Sequence, residues 1–302
     1  MRLIQTQLSE EAFRPTPFLK WAGGKSRLLP QMQKFFPTKP KVYFEPFVGG
    51  GAVFLHLASA GLIKKAFLND LNPDLVNLYC VIKTSPTDFI KTCLDLSAKY
   101  ISLNELERTE FYYIKRKKYN SGKGYDSVTR AAATVFLNKT CFNGLFRVNS
   151  KGKFNVPVGR YKSPTIIEPE NIFAVSRILN STEAEITCLD FEEALLNSSS
   201  NSFIYYDPPY RPLNKTSSFT AYALGGFDDA EQTRLAENFN KLSAKNVLQM
   251  LSNSDPKNTN PEDLFFEELY SKHKIHRVKA SRSINSKGAK RGTLNELLIT
   301  NY

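Results

Sequence analysis

The chain has 302 residues, 41% of them hydrophobic, which is ample apolar material for one large packed domain or two modest ones. Its 41 Lys and Arg against 29 Asp and Glu give a formal charge of +12, a balance that favours a polyanion such as nucleic acid over a small neutral substrate. No run approaches the roughly 18 apolar residues of a membrane span, and the N-terminus lacks the apolar core of a secretory signal, so a cytoplasmic protein without membrane association is expected.

Strand-like apolar runs occur at 42–47, 65–68, 184–189, 203–206, 247–251, 275–280 and 294–300. Seven such runs, with helical patterns between several of them, predict an α/β domain with a largely parallel sheet. Between Asp74 and about Glu183 the pattern turns helical, basic and aromatic, without obvious long strands. This stretch reads as an insertion, so residues 1–74 and 184–302 are expected to form the sheet domain and 75–183 an inserted domain. Residues 104–162 hold 13 Lys or Arg against 4 Asp or Glu, and this is the expected DNA-facing part. Within it, 105–119 and 130–138 read as helices. Further on, Asp228 with Glu231 three residues later predicts a capping-box-like helix start, followed by Leu235, Phe239 and Leu242 at helical spacing.

Cys80, Cys93, Cys141 and Cys188 show no paired short spacing, and His56, His273 and His276 add no zinc pattern. Reduced core thiols and no metal are expected.

Three motifs carry chemistry. Glu45-Pro46-Phe47-Val48-Gly49-Gly50-Gly51 follows the first strand and runs into Ala52-Val53-Phe54-Leu55, so the backbone can approach a ligand at a helix N-terminus. Asp70 lies 19 residues after Gly51 at the end of the next strand, where an acid can accept from ribose hydroxyls. Phe54 stands where a dinucleotide site would need its third glycine, which disfavours pyrophosphate; a plain glycine turn is the alternative. Phe18-Leu19-Lys20-Trp21-Ala22-Gly23-Gly24-Lys25 ends like a phosphate loop, but Leu19 replaces the first glycine of that motif. Finally, Asp207-Pro208-Pro209-Tyr210 closes the apolar run Phe203-Ile204-Tyr205-Tyr206. A carboxylate, a proline carbonyl with no competing N–H and an aromatic ring suit the exocyclic amine of a nucleobase. A strand ending in a Pro-Pro stop is the bland alternative.

In this order, and with Asn143-Gly144-Leu145-Phe146-Arg147 and Phe154-Asn155-Val156-Pro157-Val158-Gly159-Arg160-Tyr161 between them, these motifs resemble the DNA adenine-N6 methyltransferases of the Dam and DpnII type. The resemblance runs nearly end to end. It implies a Rossmann-like, S-adenosylmethionine-dependent sheet of about seven strands with an inserted, mainly helical target-recognition domain.

The resemblance also implies roles for particular residues. Asp207, Pro208, Pro209 and Tyr210 are the expected catalytic group, acting on an adenine rotated out of duplex DNA. Trp21, Lys25, Phe47, Gly49, Gly51, Asp70, Asp190 and Asp207 are expected around S-adenosylmethionine, with the Lys25 ammonium matched to the methionine carboxylate. For Asp190 a helix cap is the competing role. Lys20, Phe142, Asn143, Leu145, Arg147 and Pro157 are expected on DNA, with Arg147 bidentate to guanine, Leu145 and Pro157 on thymine methyl or base edges, and Phe142 wedged into the stack. A turn at Asn143-Gly144 and a core Phe142 are the structural alternatives.

Lys287 and Arg291, between the last two strands, read as phosphate contacts or a solvated tip. The long 211–227 connection, with Thr216, Phe219, Tyr222 and Gly225-Gly226, reads as a functional loop. The expected activity is methylation of adenine N6 in GATC by a monomer on DNA, alongside a cognate restriction endonuclease. A DNA-binding regulator that no longer catalyses, a cytosine-N4 enzyme and a different target sequence are the alternatives.

Overall fold

The computed structural model describes residues 13–38, 40–211, 227–281 and 293–302. Seven strands form one sheet: β1 (Val42–Glu45), β2 (Lys65–Asn69), β3 (Glu185–Thr187), β4 (Ser202–Tyr206), β5 (Leu248–Ser254), β6 (Lys274–Ser281) and β7 (Thr293–Thr300). Each falls on one of the seven predicted runs. Their order is β3-β2-β1-β4-β5-β7-β6, with β1 to β5 parallel and β7 antiparallel to both β5 and β6.

The central strands are apolar on both sides because helices cover both faces, as a parallel sheet requires. Alternate residues therefore enter different cores. Tyr43, Phe203, Tyr205, Met250 and Leu298 face one layer, whereas Phe44, Ile204, Tyr206, Leu251 and Leu297 face the other. The second layer is closed by the helix Asp229–Ser243 through Leu235 and Phe239, each fully buried and contributing about 1.5–3 kcal/mol by leaving water. Asp228 caps this helix by accepting from the N–H groups of Ala230 and Glu231. The reciprocal half of a capping box is absent, because the Glu231 carboxylate pairs with Arg234 instead.

The stretch predicted to be helical holds Pro73–Thr84, Pro86–Ile101, Glu105–Ser121, Ser127–Thr140 and Pro169–Ser181. Their buried residues, among them Leu78, Phe89, Tyr112, Phe136 and Leu179, are continuous with the first core layer of the sheet. One ionic knot joins three of these helices. Arg130 makes two charge-assisted bonds of 2.6 and 2.8 Å to Asp74 and lies 3.8 Å over the Tyr119 ring, while the Tyr119 hydroxyl donates to Asp74 at 2.6 Å.

All four cysteines are free, but only Cys93 and Cys141 are buried. Cys188 is exposed and Cys80 half-buried, so the expectation of four core thiols is corrected: Cys188 lies just beyond β3, and Cys80 is off the buried face that Leu75, Leu78, Tyr79 and Ile82 form on the helix Pro73–Thr84. No helix among the described residues is long and apolar enough to cross a membrane, and no group of three or more acidic, His or Cys side chains among them could hold a metal ion.

Candidate active site and nucleic-acid interface

The chain leaves β1 outward to β2 and β3, then returns on the other side of β1 as β4. The crevice at the carboxyl ends of β1 and β4 is thus the switch point where open α/β sheets bind ligands. The glycine loop leaves β1 there, and Asp207-Pro208-Pro209-Tyr210 leaves β4 beside it.

The glycine loop is shaped by two aromatic side chains. Gly49 and Gly51 have φ of +47° and +66°. A Cβ at Gly49 would lie 2.8 Å from the Trp21 indole nitrogen, and one at Gly51 would lie 2.5 Å from the Tyr79 hydroxyl, so both positions demand glycine twice over. Tyr79 donates to the Gly49 carbonyl at 3.1 Å, and Trp21 stacks on Phe146 with centroids 5.4 Å apart. Trp21 thereby connects the loop to the segment that carries Arg147.

Asp70 ends β2 with one carboxylate oxygen accepting from Gly49 N–H at 3.1 Å and the other from Asn72 N–H at 3.0 Å. Burial pushes its carboxyl up to about 6, against the pull of those two N–H groups. The buried Asn69 next to it ties three strand ends together. Its amide nitrogen donates to the carbonyls of Pro46 and Leu189, and its oxygen accepts from Leu189 N–H and the Thr187 hydroxyl. Asn69 did not figure among the expected site residues, since nothing in its sequence context marks it.

After β3, Asp190 caps the short helix Phe191–Ala194 through Glu192 N–H at 2.9 Å and receives both terminal nitrogens of Arg234 at 2.9 and 2.8 Å. The guanidinium holds the Asp190 carboxyl below the ordinary carboxylate range. Both of its oxygens are therefore engaged within the protein. Phe47, Phe191 and Phe227 gather next to it, with centroids 5.6 to 6.2 Å apart, as an aromatic wall.

At the end of β4 the Lys25 ammonium, only 3% exposed, sits 2.7 Å from each carboxylate oxygen of Asp207. It also donates to the Gly23 carbonyl and lies 4.8 Å from the centre of the Tyr210 ring. A buried ammonium needs a counter-charge, and Asp207 supplies it here. Burial raises the Asp207 carboxyl to about 6, while Lys25 draws it down. The Pro209 carbonyl accepts from Gln232, whereas no described residue donates to the carbonyl of Pro208. Tyr210 is fixed by its hydroxyl, which donates to Glu296 at 2.7 Å. Glu45, buried at the end of β1, accepts from the Tyr43 hydroxyl at 2.9 Å, and burial raises its carboxyl well above the usual range.

The segment 141–158 forms a small hairpin with only two bridges, Cys141 to Val158 and Val148 to Phe154. Asn143 turns it at φ +55°, and Phe142 is 51% exposed, outside the core. Arg147 and Pro157 are exposed and Leu145 half-buried. Arg147 Nε donates to Asn155 at 2.9 Å. Lys20 crosses the hairpin, since a Cβ at Gly144 would collide with its side chain, and its ammonium lies 4.2 Å over the Tyr161 ring. The buried Asn138 fixes this crossing by bonding the Lys20 backbone at both N–H and carbonyl and the Gly144 carbonyl.

The hairpin rests on one helix face: Tyr112 and Arg116 donate to the Val156 carbonyl, and Asn120 bonds both the N–H and the carbonyl of Phe154. These three residues were not anticipated, although their spacing of four was a usable signal. Lys287, Arg291 and the residues Thr216, Phe219, Tyr222, Gly225 and Gly226 lie outside the described residues.

Residues 21–284 match the family described as D12 class N6 adenine-specific DNA methyltransferase. The type II methyltransferase M.MjaIII of Methanocaldococcus jannaschii is 46% identical over 293 residues, spanning 95% of this chain and 99% of that protein. The type II methyltransferase M1.LlaDCHI of Lactococcus lactis subsp. cremoris is 40% identical and spans 95% of each. A DNA adenine methylase of Haemophilus influenzae is 36% identical over 93% of this chain and 92% of its own length.

Proposed function

Because the chain belongs to the D12 class of N6 adenine-specific DNA methyltransferases, we propose that it methylates adenine N6 within GATC, on a base rotated out of duplex DNA. The observation that carries this reading is the meeting of the glycine loop and Asp207-Pro208-Pro209-Tyr210 at the β1/β4 switch point. S-adenosylmethionine, when bound, supplies an electrophilic methyl group on a sulfonium. The donor set fits it: Asp70 offers a carboxylate for ribose hydroxyls, Phe47 and its aromatic neighbours offer a flat wall for a nucleobase, and the loop of Gly49 and Gly51 lets backbone approach. Trp21 shapes that loop. Asp190 stays in the proposed cofactor border with Arg234 as its counter-ion.

The N6 lone pair of adenine is delocalised into the ring. Hydrogen bonds from the amine to the Asp207 carboxylate and to the Pro208 carbonyl, to which no described residue donates, draw the nitrogen toward tetrahedral geometry and expose the lone pair. To accept that amine, Asp207 shares or gives up one of its two contacts with Lys25, which gives Lys25 in this reading a second task, holding the catalytic carboxylate, beside its proposed contact with the methionine carboxylate. Tyr210, held by Glu296, provides the stacking face.

The exposed face of the hairpin, with Lys20, Phe142, Asn143, Leu145, Arg147 and Pro157, is the proposed DNA-reading surface within the inserted segment 75–183, and Lys287 and Arg291 are proposed phosphate contacts. By extension from the two type II relatives, we assign the protein to a restriction-modification pair; we further propose that it acts in the cytoplasm as a monomer on duplex DNA.

The test is transfer of a labelled methyl group to duplexes with and without GATC, combined with methylation-sensitive sequencing of DNA from cells expressing the chain. Asp207→Ala should lower transfer by about 10²- to 10⁴-fold. Tight duplex binding with no transfer by the unaltered protein would instead make it a regulator, and equal transfer to duplexes lacking GATC would reject the assigned site.

A further inference from the structure

Asn155 belongs to the Asn-Val-Pro segment, yet nothing so far gives its side chain a task. Its position is unusually well determined for a residue in a hairpin with two bridges. Phe154 before it is bonded through both N–H and carbonyl by Asn120, and Val156 after it through its carbonyl by Tyr112 and Arg116. Its own N–H donates to the Arg147 carbonyl at 3.1 Å. The Asn155 side chain then accepts from Arg147 Nε at 2.9 Å. Nε of a guanidinium only donates, so the amide oxygen must face it. No described residue accepts from either terminal nitrogen of Arg147. One edge of the guanidinium is thus tethered while its terminal fork is left open among the described residues.

We propose that Asn155 is a positioning residue for base reading: it fixes the plane of the Arg147 guanidinium so that the two terminal nitrogens are presented together to the O6 and N7 acceptors of one guanine. The idea rests on the reading of Arg147 as a guanine contact. Its logic is preorganisation. An exposed arginine has many rotamers, and a tether that selects one before DNA arrives reduces the entropy lost on forming the bidentate contact.

The experiment compares methyl-transfer rates on the cognate duplex with rates on duplexes changed at each base pair in turn, for Arg147→Ala, Asn155→Ala, Asn155→Asp and the double alanine variant. Thermal midpoint and cofactor affinity are measured for each. Arg147→Ala should reduce discrimination at one guanine about 5- to 150-fold. Asn155→Ala should reduce it at that same guanine by about 2- to 12-fold, with the other positions unaffected. The double variant should be no worse than Arg147→Ala, because the two side chains act through one contact. Asn155→Asp keeps the acceptor and should keep the discrimination ratio, while slowing all duplexes alike through its charge. If Arg147→Ala loses discrimination at one guanine and Asn155→Ala does not, the positioning role is overturned and the guanine contact stands. If Arg147→Ala is impaired equally on every duplex, the guanine contact itself fails and the inference fails with it.

Discussion

The glycine loop after β1 and the hairpin 141–158 are both irregular backbone with left-handed residues, yet they are held in place by opposite means. The loop hangs from the sheet: Val48 N–H bonds Asn69, Gly49 N–H bonds Asp70, and Tyr79 and Trp21 close on it from packed surroundings. The hairpin has almost no ladder of its own and is carried by Tyr112, Arg116 and Asn120 on one helix and by Asn138 on the next. The difference separates two tasks. In the proposed reading, the cofactor pocket is positioned by the fold's core, where a change disturbs everything, and the DNA-reading surface by a few side-chain bonds, where a change can alter selectivity and leave the chemistry standing.

Four substitutions test that separation. Gly51→Ala should have the largest effect, destabilising the protein by about 1–3 kcal/mol through the left-handed backbone alone, with the contact to the Tyr79 hydroxyl added to it. Gly122→Ala is the control, since φ there is also +66° but no atom lies within 4 Å of the added carbon. Thermal unfolding of the two should differ, and cofactor affinity should fall only for Gly51→Ala; equal effects would mean that packing does not shape the loop.

Asn120→Ala removes the partner of both the N–H and the carbonyl of Phe154 and should lower stability by about 1–2 kcal/mol. Discrimination among duplexes should relax, while calorimetry should give an unchanged affinity for the cofactor. A matching loss of cofactor affinity would erase the distinction between the two regions.

The smallest effect concerns pH. If Asp207 accepts the amine as proposed, it must be ionised, and its carboxyl lies at about 6 because burial outweighs the Lys25 cation. Methyl transfer should therefore decline as pH falls through about 6. Lys25→Met removes the lowering influence, so the acid limb of the single-turnover rate should move to higher pH. A limb that stays put would remove the ion pair from control of Asp207.

Apolar runs of strand length were enough to locate all seven strands, most directly the central ones, which are buried on both faces. Motif chemistry likewise singled out the glycine loop, Asp70 and Asp207-Pro208-Pro209-Tyr210 as candidates, since a close backbone approach and paired acceptors need particular residue types, and the fold gathers them at neighbouring strand ends. Tertiary structure alone decided which of these touch. Lys25 and Asp207 are 182 residues apart, and only the crossing of the N-terminal segment over the β4 end makes them an ion pair. Asn69, Asn138 and Asn120 act through backbone groups of distant segments, and a backbone group carries no side-chain signature that a sequence can display. Asp190 illustrates the same limit. Its place after a strand allowed either a cap or a ligand, and the arrival of Arg234, 44 residues later, engages its carboxylate within the protein.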